Sequence, residues 1–158
     1  MRRCLLLLLL CALPALASDM RPFLSDSSAA IERAQAGKPY ILAFWSVDCA
    51  YCAEELQQLD ALARSRPEIS LMLVSIDGLE MQPQAVVYLK RVLPKTRAQR
   101  WIFAEEDREH LQFSVDRRWH GELPRSYFHD AAGQVRATSG RLDAQWLAQW
   151  ARSVAYRR

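Results

Sequence analysis

Two stretches of this chain are apolar almost without interruption, and the segments around them change to helical spacing or break on polar residues. Tyr40 to Ser46 (YILAFWS) and Ile69 to Asp77 (ISLMLVSID) show no alternation of polar and apolar positions, the pattern of strands covered on both faces. Ahead of the first, after a short polar lead, Ser27 and Ser28 offer N-caps for a helix through Ala29, Ala30, Ile31 and Ala34, which Gly37-Lys38-Pro39 ends. Behind it, Leu56, Leu59 and Ala63 recur at helical spacing from Cys52, with Glu54, Gln57 and Arg64 on other faces. Pro83 reads as the first residue of a helix through Val86, Leu89 and Leu93, stopped by Pro94. Trp101 to Ala104 reads as a short strand and Asp107 to Phe113 as a short helix. Ser126 to His129 and Val135 to Ser139 flank Asp130-Ala131-Ala132-Gly133, a four-residue hairpin turn, and a last helix after Asp143 buries Trp146, Leu147, Trp150 and Val154 on one stripe.

Strands that alternate with helices and close in a hairpin plus helix predict an α/β chain with a central mixed β-sheet flanked by helices on both faces. The 158 residues suit one domain with a continuous core of its own, and no repeat, low-complexity tract or interdomain linker divides them.

The first residues are set apart from that domain. Arg2 and Arg3 precede an apolar run from Cys4 to Ala17 that ends in Ala15-Leu16-Ala17, the small-x-small pattern of a cleaved secretory leader. Fourteen residues interrupted by Pro14 fall short of the roughly 20 that span a bilayer. Residues 1–17 are therefore expected to be a signal peptide, with the exported domain running from Ser18 to Arg158 and, by this reading, working in the periplasm. Without Arg2 and Arg3, 19 basic residues face 18 acidic ones, a net charge of +1. No Lys/Arg block with interleaved aromatics occurs, so nucleic acid has no support as a partner. Cys4 and Cys11 leave with the leader, and Cys49 and Cys52 remain.

These two cysteines close the segment FWSVDCAYC, where a buried strand hands over to an amphipathic helix. As a staple they would contribute little, because closing a loop of four residues removes only about 2 kcal/mol of unfolded-state entropy. As zinc ligands they make half a site: there is no third cysteine, and His110, His120 and His129 stand in no paired ligand spacing, His120 being the nearest to serving. A working dithiol fits the position best, because unpaired N–H groups and the positive dipole end at a helix start stabilise a thiolate. Cys49 is then the nucleophile and Cys52, one turn in, the resolving thiol.

FWSVDCAYC followed by a helix resembles the active-site segment of the thioredoxin superfamily, and ISLMLVSID and GELPRSYFHDAAGQV resemble the next strand and the cis-proline hairpin of exported TlpA-like and ResA-like thiol reductases. The resemblance covers roughly residues 39–150. The opening AAIERAQAGKPYILAFW is nearer to periplasmic thioredoxin-like modules that begin with a helix, and the extra N-terminal strands of TlpA-like proteins are not expected. The resemblance implies a thioredoxin fold, a redox-active pair at Cys49 and Cys52, a cis peptide bond before Pro124, and an incoming peptide paired with the backbone of Leu123. Glu55 matches a glutamate of the ResA-like branch and is a candidate for taking the proton of Cys52, against the reading of a solvated helix glutamate. Asp48 replaces the tryptophan common before the first cysteine, and Ala43 stands where cytoplasmic thioredoxins carry a buried aspartate.

The implied activity is protein-disulfide reduction, with no bound cofactor. Its partners would be disulfide-bearing exported proteins and a membrane thiol-transfer protein that supplies electrons. A disulfide oxidase or isomerase is the alternative enzyme; a redox-silent binding module or a metal carrier is the alternative outside catalysis. Trp119 and His120 are read either as walls of the substrate groove or as ordinary loop contacts, and Trp146 and Trp150 as core.

Overall fold

The computed structural model describes residues 20–155. The expected leader, the cleavage point before Ser18 and the terminal Arg157-Arg158 lie outside the described residues.

Strands β1 (Arg21–Phe23), β2 (Tyr40–Trp45), β3 (Ser70–Ser75), β4 (Gln99–Phe103), β5 (Arg125–His129) and β6 (Val135–Ser139) form one sheet in the order β1-β4-β3-β2-β5-β6. The first four run parallel, while β5 is antiparallel to both β2 and β6, giving the expected mixed sheet. Helices α1 (Ser27–Ala34), α2 (Cys52–Ser65), α3 (Gln82–Val92), α4 (Arg108–Val115) and α5 (Ala144–Ala155) cover it.

The unbroken apolar run of β2 is explained by its central place between β3 and β5. Ile41, Ala43 and Trp45 enter one core with Cys52, Leu56 and Leu59 of α2, Ala85 and Leu89 of α3, and Leu147 and Trp150 of α5. Tyr40, Leu42 and Phe44 enter a second core with Ile31 of α1 and Leu111 of α4. Both faces of the strand are therefore dry, and alternation has nothing to select. Trp146 and Trp150 pack edge-on against Phe128, Trp150 within the core as expected and Trp146 half-buried at its edge.

Several boundaries differ from the sequence reading. An N-terminal strand does exist: β1 pairs with β4 at the sheet edge, and the supposed polar lead contributes Met20 and Phe23, both fully buried. Three residues containing Pro22 carry too little periodicity to be read as a strand, and proline is tolerated at an edge. Ser27 and Ser28 lie inside α1 rather than capping it; Asp26 holds the N-cap position, and Ser27 Oγ accepts the N–H of Leu24. Pro83 is the second residue of α3, and β4 begins two residues earlier than expected, at Gln99. Asp107 caps α4 by accepting the N–H of His110 at 2.8 Å, and Asp143 accepts those of Gln145 and Trp146 at the start of α5. No helix among the described residues is long and apolar enough to cross a membrane.

Candidate active site

The C-terminal end of β2 delivers the chain to a short loop, Ser46–Tyr51, before α2 begins. Trp45 at the strand end is fully buried and stacked on Tyr88 of α3, with ring centroids 5.1 Å apart, so the loop leaves from a fixed point. Asp77, just beyond β3, ties the loop down. Its buried carboxylate accepts the hydroxyls of Ser46 and Ser75 and, at 3.1 Å, the backbone N–H of Val47. Ser46 Oγ in turn accepts the N–H of Asp48 at 3.2 Å. By sequence Asp77 is only the end of a strand; the contacts with Ser46 and Val47 that give it a role cross some 30 residues of chain, which no local pattern records.

Cys49 sits in the turn before α2, half-buried, its N–H bonded to Ser46 O, and Cys52 is the first helical residue with no exposed surface. The two are joined in a disulfide, with Cα atoms 5.4 Å apart. One cysteine is thus half-buried at the helix start and the other is sealed into the core.

Glu55 is not a solvated helix residue. It is 3% exposed, and its Oε1 accepts the hydroxyl of Ser126 at 2.6 Å while Oε2 has no partner. Burial pushes its carboxyl up to about 6, although the Ser126 hydrogen bond works in the opposite direction. The geometry follows from register: Ser126 pairs with Ala43, so both point to the α2 side of the sheet, and the small Ala43 side chain lies on the face that Glu55 also occupies. A carboxylate is thus supplied to the Ala43 face of the sheet from the helix, three residues after Cys52.

Opposite this loop lies the segment 119–124. The Leu123–Pro124 peptide bond is cis, as the resemblance implies. The pairing of Arg125 with Phe44 sets Pro124 beside the end of β2 from which the cysteine loop departs, and Leu123 packs against both cores. Trp119 is buried against Phe44, centroids 4.7 Å apart, and donates its indole N–H to Glu122 O at 3.0 Å; it supports the loop from below. His120 is exposed. Among the described residues no group of three or more His, Cys, Asp or Glu side chains is placed to hold a metal ion.

Arg125 also escaped the sequence reading. Its guanidinium donates to Asp116 at 2.9 Å, Ser139 Oγ at 2.7 Å, Glu122 at 3.3 Å and Tyr127 Oη at 3.0 Å.

No family model and no curated protein sequence matches the chain. Solved structures do. A thiol:disulfide interchange protein of the thioredoxin family from Chlorobium tepidum superposes with a TM-score of 0.59 at 16% identity, over 78% of this chain and 83% of that one. This chain has the thioredoxin fold. Two further thioredoxin-fold structures are similar to it. MTB DsbF, in mixed oxidised and reduced forms, has 25% identity and a TM-score of 0.57 over 77% of this chain and 84% of that one. A secreted Mycobacterium tuberculosis disulfide oxidoreductase homologous to E. coli DsbE has 17% identity and a TM-score of 0.58, over 77% and 85%.

Proposed function

We propose that this thioredoxin-fold chain is an exported thiol-disulfide oxidoreductase that reduces disulfides of other exported proteins through Cys49 and Cys52. The observation that carries the reading is the asymmetry of the pair, a half-buried Cys49 at a helix start above a fully buried Cys52. That arrangement suits one thiol to meet a partner and the other to release it.

In the reduced protein the Cys49 thiolate attacks one sulfur of the substrate disulfide. A mixed disulfide forms, and the other substrate sulfur leaves as a thiolate and takes a proton. Cys52, deprotonated by Glu55, then attacks Cys49 Sγ, closing the internal disulfide and expelling the second substrate thiol. Two electrons and two protons pass from the dithiol to the substrate. A membrane thiol-transfer protein returns both by the same exchange, since the compartment itself is oxidising. Leu123 and Pro124 hold the substrate backbone during the attack.

Reduction is favoured over oxidation by the absence of a cation in Ala50-Tyr51 and by the acid at Asp48. Strong oxidants stabilise their reduced thiolate, and these residues do the reverse. Acid-quenched cells labelled with a thiol-reactive mass tag test the direction. A reductase is held largely as dithiol by its donor; a pool found fully as disulfide would assign the protein to the oxidases.

A further inference from the structure

The segment that presents Leu123 has little secondary structure of its own, yet its bonds converge on one side chain. Glu122 Oε1 accepts Arg125 at 3.3 Å and Ser139 Oγ at 3.0 Å, while Oε2 accepts the N–H of His120 at 3.0 Å. The Glu122 carbonyl accepts Trp119, and the Pro124 carbonyl accepts the N–H of Gly140 at 2.9 Å. The backbone N–H and C=O of Leu123, between them, have no hydrogen-bond partner among the described residues. The residues on either side of Leu123 are fastened through Glu122 and the Pro124 carbonyl, which leaves the Leu123 backbone groups open to pair.

Arg125 closes the ring. Its side chain is 12% exposed and also bridges to Asp116, itself 11% exposed, at the C-cap of α4. It lies 4.9 Å from the centroid of the Tyr127 ring. One guanidinium therefore joins α4, the cis-proline segment, β5 and β6. Burial opposes its charge, but Tyr127, Asp116 and Glu122 together raise its pKa above the ordinary guanidinium value. A lysine offers a point charge and cannot reproduce these forked contacts.

Resting on the exchange reading, we propose that Arg125 is a positioning residue for substrate polypeptide: through Glu122 and Asp116 it holds the Leu123–Pro124 peptide so that the free Leu123 backbone groups can pair with an incoming chain. That role would be felt by a disulfide carried on an extended peptide segment, which the exchange reading already supplies as substrate, and not by a small disulfide without amides. Neither Arg125 nor Glu122 touches the reacting sulfurs in this scheme.

The test compares a fluorogenic peptide disulfide with hydroxyethyl disulfide, which has no backbone to pair. Arg125→Met should lower kcat/KM for the peptide about tenfold more than for hydroxyethyl disulfide, the size expected from losing one charge-assisted bond's worth of order. The loss should appear in KM, and Arg125→Lys should recover part of it. Equal losses on the two substrates, or full recovery by lysine, would overturn the positioning role. Should Arg125→Met fail to fold, Glu122→Gln decides, because it leaves the Arg125–Asp116 pair in place; an unchanged peptide KM in that variant overturns the proposal. Wild-type protein inert toward both disulfides would instead remove the exchange reading on which the proposal rests.

Discussion

Replacing Glu55 by Gln should make the protein more stable at neutral pH and leave it nearly unchanged in acid. The carboxyl is an acid whose folded pKa, about 6, lies above its ordinary 4.5, because burial costs its charged form more than the Ser126 hydrogen bond returns. Below pH 4.5 both folded and unfolded chains hold the proton, and there is no penalty. Between 4.5 and about 6 the folded state binds more protons than the unfolded one, so stability falls as pH rises. Above about 6 the charge is fully buried at a cost of about 2 kcal/mol. Gln is nearly isosteric, keeps an acceptor for Ser126 and carries no charge. At pH 7.5 the variant should gain up to about 2 kcal/mol, or about 5 °C in Tm for a domain of this size. Urea unfolding of oxidised wild type and variant from pH 4 to 8 measures the difference directly. A difference that does not change with pH, or a variant less stable at pH 7.5, would refute the reasoning. The same substitution should slow the resolving step at Cys52 more than the first attack at Cys49, so a gain in stability would accompany a loss in turnover.

In the reduced protein Cys49 should alkylate much faster than Cys52 near neutral pH, and equal rates in a timed iodoacetamide reaction would undo the role assignment. Asp77→Ala leaves two hydroxyls and the Val47 N–H without their acceptor and should cost roughly 2–3 kcal/mol in urea unfolding; a smaller loss would mean the loop before Cys49 is held by other contacts. His129 stacks on Tyr40 at 4.0 Å, and burial lowers its pKa to about 4 despite Asp130. Its contribution is present above 6.5 and fades as pH drops towards 4, so His129→Gln should flatten the acid limb of the stability profile. Exported protein should begin at Ser18 by mass spectrometry; an intact Met1 rejects the leader reading.

What could be read in advance follows physical lines. Strands β2 and β3 and the helices α2 and α5 announce themselves because long runs are buried on two faces or on one helical stripe. Strand β1 does not, because its register comes from β4 some 80 residues away and only Phe23 of its three residues is buried. The cysteine pair was legible as a local spacing with a strand before it and a helix after. Glu55 was half legible: its chemistry could be proposed beside the reading of a solvated helix glutamate, but its burial and its partner Ser126, 71 residues on, could not be seen. Asp77 and Arg125 were invisible because each acts through side chains brought together only by the sheet. Polar residues of that kind read as surface until the fold supplies their partners.

The central claim is covalent exchange through Cys49, and trapping tests it most directly. Reduced Cys52→Ala protein, mixed with a disulfide-bearing polypeptide and quenched in acid, cannot resolve its own mixed disulfide. The account predicts an adduct that reducing agent releases, attached at Cys49, and almost none when Cys49→Ala protein is used. No adduct with Cys52→Ala, in a sample whose Cys49 is free and alkylates, would contradict it.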